Sequence, residues 1–221
     1  MRLNRARTGL TLVLLTLAGY PASAQTPATE TAPQANAPAT AADHAAKPAP
    51  SLVPADFNVP RLVETGDFKI VPLGPELVKI DFDAYMSSIE HLQKTFTRST
   101  DWPHKGISDA DALRDMETEQ TRFRQRASFA YAVLTKDGRR ERGCVYVYPS
   151  PVAGYDAEVR LWVTKAEYDA GFDAELFAWV TNWMRRDWPF AKIAYPGRAI
   201  AWEKWDAAVA AGKARNAAMQ Q

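Results

Sequence analysis

The stretch FAYAVLTKDGRRERGCVYVYPSPVAGYDAEVRLWV, residues 129–163, decides the fold. Residues 129–135 (FAYAVLT) follow a period of two, the pattern of a strand with two distinct faces. KDGRR at 136–140 makes a turn, and residues 143–150 (GCVYVYPS) are its hairpin partner, closed by Pro149. Residues 156–163 (DAEVRLWV) add a third strand. Its alternation puts Glu158, Arg160 and Trp162 on one face and Val159, Leu161 and Val163 on the other.

Outward from this core the period changes to that of helices. Upstream, residues 68–73 (FKIVPL) read as a short strand stopped by Pro72 and Gly74-Pro75. Phe82, Tyr85, Ile89, Leu92 and Phe96 recur every three or four residues, one stripe of a helix capped by Asp81. TRSTDWPHK at 97–105 is a loop. Ser108 then opens a second helix, with Asp111 three residues on as an acidic form of the capping box. Leu113, Met116, Gln120, Phe123 and Ala127 are its inner face, and the charges between them a solvated outer face. Downstream, residues 173–187 form a helix with Leu176, Val180, Trp183 and Met184 inward, ending before Trp188-Pro189. Residues 192–195 are a last short strand stopped by Pro196-Gly197, and an Ala-rich tail runs from 207. The order β-α-α-β-β-β-α-β specifies an α/β (α+β) domain over residues 51–206, a mixed, mostly antiparallel sheet flanked by helices.

The segment before that domain has a different composition. Arg2, Arg5 and Arg7, the apolar run LTLVLLTL at 10–17 and Ala22-Ser23-Ala24 make a cleavable export signal over residues 1–24. The apolar run is too short to cross a bilayer. Cleavage would remove three basic and no acidic residues, turning the net charge from +1 to −2. The expected location is periplasmic or secreted, with no stable membrane insertion once the signal is cut. Residues 25–50 hold ten Ala and five Pro with no Val, Leu, Ile or aromatic residue, a disordered spacer that cannot bury enough to order itself.

Composition also excludes chemistry. One Cys forbids an intrachain disulfide, and with three His the usual zinc spacings cannot be assembled, so no metal is expected. A net charge of +1 gives no reason to expect a nucleic-acid partner. Walker, G-x-S-x-G and H-E-x-x-H patterns do not occur. Cys144 reads as an inert buried thiol, His91 as a satisfied or exposed histidine, and the helical Trp179 and Trp183 as core.

The element order, with SFAYAVL, GCVYVYPS, YDAEVRLWV and WPFAKIAYPGR, resembles the GCN5-related N-acetyltransferase (GNAT) fold over residues 63–198, as a divergent, bacterial member. Residues 200–221 are too few for the family's elements after its fifth strand, so the fold is expected to be shortened at its C-terminus. The resemblance implies acetyl-CoA or another acyl-CoA as cofactor and a small amine or peptide as acceptor. The family's Gln/Arg-x-x-Gly-x-Gly/Ala loop, which holds the coenzyme pyrophosphate at a helix N-terminus, falls on Tyr168, Asp169, Ala170, Gly171, Phe172 and Asp173. Gly171 is retained, Tyr168 replaces the Gln/Arg and Asp173 the small last residue. Asp169 and Asp173 would repel a pyrophosphate; Asp173 has a second role open to it as the cap of its helix. Trp162 or Val163 would offer the backbone contact to a thioester carbonyl. Glu158 is the base and Tyr195 the acid the resemblance implies; a Glu158–Arg160 ion pair and a core tyrosine are the other readings of the same residues. Trp102 and His104 fall in the loop that shapes the acceptor pocket. Two functions stand open: an exported N-acyltransferase with a degenerate pyrophosphate loop, and a non-catalytic GNAT-like domain that binds a ligand or an envelope partner. The sequence specifies no protein partner.

Overall fold

The structure, a computed structural model, describes residues 50–219. The expected signal, and all but the last residue of the expected spacer, lie outside the described residues. Six strands form one sheet in chain order: β1 (Val63–Glu64), β2 (Phe68–Pro72), β3 (Phe129–Thr135), β4 (Glu141–Pro149), β5 (Ala157–Val163) and β6 (Ile193–Ala194). Every neighbouring pair is antiparallel except β5 and β6, which are parallel. The α-helices are α1 (Val78–Met86), α2 (Ile89–Leu92), α3 (Asp109–Arg124), α4 (Lys165–Asp169), α5 (Phe172–Asp187) and α6 (Trp202–Met219).

The alternation read from the sequence divides two cores. On one face Phe129, Tyr131, Val133, Val145, Val147, Val159, Leu161 and Val163 pack with Leu176, Val180, Trp183 and Met184 of α5. On the other, Ala130, Ala132, Leu134, Cys144, Tyr146 and Trp162 meet Tyr85, Leu92 and Met116 from α1, α2 and α3. Both faces of the central strands are therefore covered, and no helix among the described residues is long and apolar enough to cross a membrane.

Local chemistry moves several boundaries. α1 begins at Val78, after a 3₁₀ turn at Pro75–Leu77, so Asp81 lies inside the helix and is buried rather than capping it. The expected single stripe from Phe82 to Phe96 is broken in two. Ser87 donates its hydroxyl to the Ala84 carbonyl at 2.6 Å, the local side-chain competition that ends helices. α2 restarts at Ile89 and runs into a π-helical turn, Gln93–Thr97. Ser108 and Asp111 do form the reciprocal capping box. The buried stripe of α3 is Ala112, Met116 and Phe123, and Leu113 is 40% exposed. Gly171, at φ 85°, is the N-cap of α5, and no side chain caps that helix, so Asp173 does not have the capping role. The Ala-rich tail, as far as Met219, continues α6.

The β3–β4 ladder contains an irregularity with large consequences. Val133 pairs with Gly143 but Leu134 pairs with Glu141, leaving Arg142 as an extra residue. A bulge shifts the alternation of everything beyond it. It turns Glu141 to the side of Cys144 and Tyr146, and Glu141 is 1% exposed.

Two leucines test this packing. Leu176→Ala removes a fully buried side chain of α5 and should cost about 2–5 kcal/mol. Leu113→Ala should stay within about 0.5 kcal/mol. Urea midpoints of the two variants measure the contrast.

Candidate functional site

The parallel pairing of β5 with β6 lasts for two residue pairs, Ala157↔Ile193 and Glu158↔Ala194. Past them the chain leaves the sheet, and the space beside β5 is bounded by Val159, Arg160, Leu161, Phe177, Tyr195 and Trp202. About 20 Å³ of it is open, room for roughly one water. Tyr195 is buried against Phe177, ring centroids 5.6 Å apart, and burial pushes its hydroxyl up to about 12. Arg160 donates to the Phe96 carbonyl at 3.0 Å, with its guanidinium 5.1 Å from the rings of both Phe96 and Trp202. Gly197 takes φ 73° under the Trp202 indole, where any side chain would collide with that ring.

At the far end of β5 the loop into α5 is built by short-range pairs. Thr164 caps α4 by accepting from the Glu167 N–H. Asp169 is held by Lys165 at 2.6 Å. Asp173 takes a bidentate pair from Arg198, at 2.5 and 2.6 Å. Both loop carboxylates therefore have their own cations. Phe172 is buried beneath the Arg142 guanidinium, 3.4 Å from its ring centroid. Tyr168 is exposed and packs at 4.9 Å on His91, whose pKa burial and then Lys165 depress.

A second, larger space lies across the sheet, between α1, α3 and β4. It is a cavity of about 300 Å³. A chain of rings borders it: Tyr85–Trp102 at 5.1 Å, Trp102–Phe96 at 6.1 Å, Phe96–Tyr146 at 5.6 Å and Tyr146 stacked on Tyr148 at 5.6 Å. Asp81, Asp115 and Glu119 also line it. Behind Asp81, Cys144 Sγ lies 2.8 Å from Glu141 Oε1 and 3.7 Å from Asp81 Oδ1. Both carboxyls are buried beside that thiol, and Glu141 Oε2 has no hydrogen-bond partner among the described residues. Burial raises both pKa values, that of Asp81 to about 7, with Asp115 adding to the rise. The same burial pushes the Cys144 thiol up, so it remains a thiol.

The sequence matches no known protein family and no curated protein. Solved structures do match in shape. A ribosomal-protein-S5-alanine acetyltransferase from Vibrio fischeri superposes with a TM-score of 0.50 at 12% identity, over 68% of this chain and 82% of that one. The fold is GNAT-like. The ribosomal alpha-N-protein acetyltransferase RimL, solved in complex with coenzyme A, aligns at 14% identity and TM-score 0.45, over 57% of this chain and 69% of that one.

Within this GNAT-like fold the residues beside β5 do not fit an acyl-CoA in this arrangement. The loop end is permissive: Gly171 has open space around it, the α5 N-terminus is uncapped, and the acids are neutralised. The obstacle is space, not charge, because an acyl-pantetheine arm cannot enter about 20 Å³. Glu158 and Tyr195 are not brought together. Tyr195 packs in the α5-side core, while Glu158 is on the opposite face, its Oε1 3.7 Å from Arg160 Nε. Burial raises the pKa of Glu158 and Arg160 opposes that rise. Trp162 is buried and donates to the Tyr146 hydroxyl at 3.3 Å, and Val163 lies in the α5-side core. Trp102 lines the aromatic cavity; His104 does not, and accepts from the Gly106 N–H within its own turn.

The cavity's acids escape a reading by sequence. Asp115 and Glu119, four apart on α3, look like part of a solvated face, and Asp81 looks like a cap. The available signal is Tyr146 and Tyr148, two apart on one strand face.

Asp81 gives a pH prediction. Its folded pKa of about 7 lies above the ordinary 3.8, so its stabilising contribution is complete below about pH 4. That contribution is lost as pH rises to about 7, at roughly 1 kcal/mol per pH unit. Asp81→Asn should flatten this fall. Urea titrations at pH 4.5, 6 and 7.5 measure it, and parallel slopes for variant and wild type would refute the assignment.

Proposed function

We propose that this chain is a GNAT-fold domain that binds a small ligand in the α1/α3/β4 cavity and, with its β5–β6 cleft closed, does not transfer an acyl group. One observation carries the reading: the cleft beside β5 is filled by the chain's own Phe177, Tyr195 and Trp202, whereas the cavity across the sheet is open. The export signal read at residues 1–24 supports a periplasmic or secreted site of action, away from the cytoplasmic pool of acetyl-CoA.

A specific observation favours a second reading, N-acyl transfer from an acyl-CoA to a small amine or peptide. Lys165 and Arg198 neutralise the two loop carboxylates next to an uncapped helix N-terminus, so the repulsion expected of a pyrophosphate is absent. In that reading Trp202 leaves the cleft before a donor enters, while Arg198 stays on Asp173.

Melting curves with and without millimolar acetyl-CoA separate the two. A ligand at 100 times its Kd stabilises by about 2.7 kcal/mol, several degrees for a domain of this size. Wild-type protein should show no such shift. Trp202→Ala should lower the melting temperature by a few degrees without creating affinity for acetyl-CoA. A clear wild-type shift overturns the first reading; affinity gained only in Trp202→Ala would establish that the cleft is a blocked donor site.

A further inference from the structure

We propose that the α1/α3/β4 cavity is a binding site for a small organic cation, an alkylammonium group seated among Tyr85, Phe96, Trp102 and Tyr146 with Asp81 as its counter-ion. This rests on the reading that the cavity, not the β5–β6 cleft, holds the ligand.

Three features of the lining point to a cation. Aromatic rings border it in an unbroken series, and ring faces attract organic cations that have little hydration to lose. The acids outnumber the bases. Asp81, Asp115 and Glu119 stand against Arg122 alone, and Arg122 is already paired with Glu119 at 2.8 Å. Among the described residues neither Asp81 nor Asp115 makes an ion pair, and Glu119 Oε2 is buried with no hydrogen-bond partner. The volume of about 300 Å³ is at the small end of ligand pockets, a match for one compact head group.

The groups around Asp81 set how the cation is held. From β4 it faces Glu141, Cys144 and Tyr146; from α3, Asp115, Glu119 and Arg122; and from its own helix, Tyr85. None of these groups is an unpaired cation, since Arg122 is taken by Glu119, so an alkylammonium ion in the cavity meets Asp81 and Asp115 with no competitor. A metal ion would have a different address: Asp81, Glu141 and Cys144 offer ligand atoms within 4.8 Å of one another on the inner side of Asp81. The ring faces that border the cavity offer a metal no ligand atom, since metals of this kind take oxygen, nitrogen or sulfur donors.

The test compares choline with 3,3-dimethyl-1-butanol, its uncharged carbon isostere, by calorimetry on the full chain. Choline should bind at least tenfold more tightly than the isostere. Asp81→Asn should remove most of that preference. The rim variant Asp115→Asn, at an exposed position, should weaken choline several-fold with an unchanged melting temperature. Equal binding of choline and isostere would overturn the cation assignment while leaving the cavity as the ligand site. Absence of binding by either probe would overturn it too, and a wild-type acetyl-CoA shift alongside would take down the functional reading as well. Binding of Zn²⁺ that is lost in Cys144→Ser, without choline binding, would show that the cation is a metal and refute the proposal.

Discussion

β6 is tied to the sheet by two residue pairs, and this brief parallel contact governs the rest of that side of the molecule. Once β5 and the outgoing chain diverge, the gap between them must be filled by side chains or opened to a ligand. Here it is filled. The chain turns at Pro196-Gly197, brings Arg198 back to Asp173 at the start of α5, and lays Trp202 over the opening. Arg98 then pins the first turns of α6, with a bidentate pair to Asp206 at 2.8 and 2.9 Å and a guanidinium 4.1 Å from the Trp202 ring. Each of these contacts is modest, since exposed ion pairs contribute about 0–1 kcal/mol and cation–π contacts about 0.5–2 kcal/mol. Closure comes from the convergence of Arg98 and Arg160 on a single indole.

On the other face the governing feature is a bulge. Without the extra residue Arg142, Glu141 would share the face of Gly143 and Val145 and would meet α5. With it, Glu141 enters the core beside Cys144 and Asp81. Two carboxyls this close cannot both ionise in a low-dielectric interior, so the pair keeps at least one proton. Asp115, on the exposed side of Asp81, adds to the rise that burial gives the Asp81 pKa. The cavity therefore has an acidic floor.

The sheet is legible from periodicity because alternation of side chains is a local property. Residues 129–163 announce three strands, and the division of Glu158, Arg160 and Trp162 from Val159, Leu161 and Val163 is a matter of backbone geometry alone. The features hidden from sequence depend on single extra residues or distant partners. The bulge at Arg142 leaves no mark in the alternation of 143–149. The break at Ser87-Ser88 is carried by hydroxyl contacts, to the Ala84 carbonyl and from the Lys165 N–H. Asp173 has every local property of a cap, yet Arg198, 25 residues away, claims its carboxylate while Gly171 supplies the backbone turn. Of the candidate site, Trp102 is found by its place in a loop. Asp81, Asp115 and Glu119 resemble ordinary helix charges because a helix carries no sign of which solvated face will later border a cavity.

Phe96 joins the filled cleft to the open cavity, because it lines both. It lies on the π-helical turn Gln93–Thr97, where an extra residue per turn changes the direction in which side chains leave the helix. Its carbonyl accepts from Arg160, and Arg160 in turn supports the Trp202 ring. Phe96 cannot withdraw to widen the cavity without loosening Arg160, and Arg160 cannot leave without removing the cation beneath the indole that closes the cleft. The two spaces share a wall, so the packing that fills the β5–β6 cleft is the same packing that completes the aromatic side of the cavity.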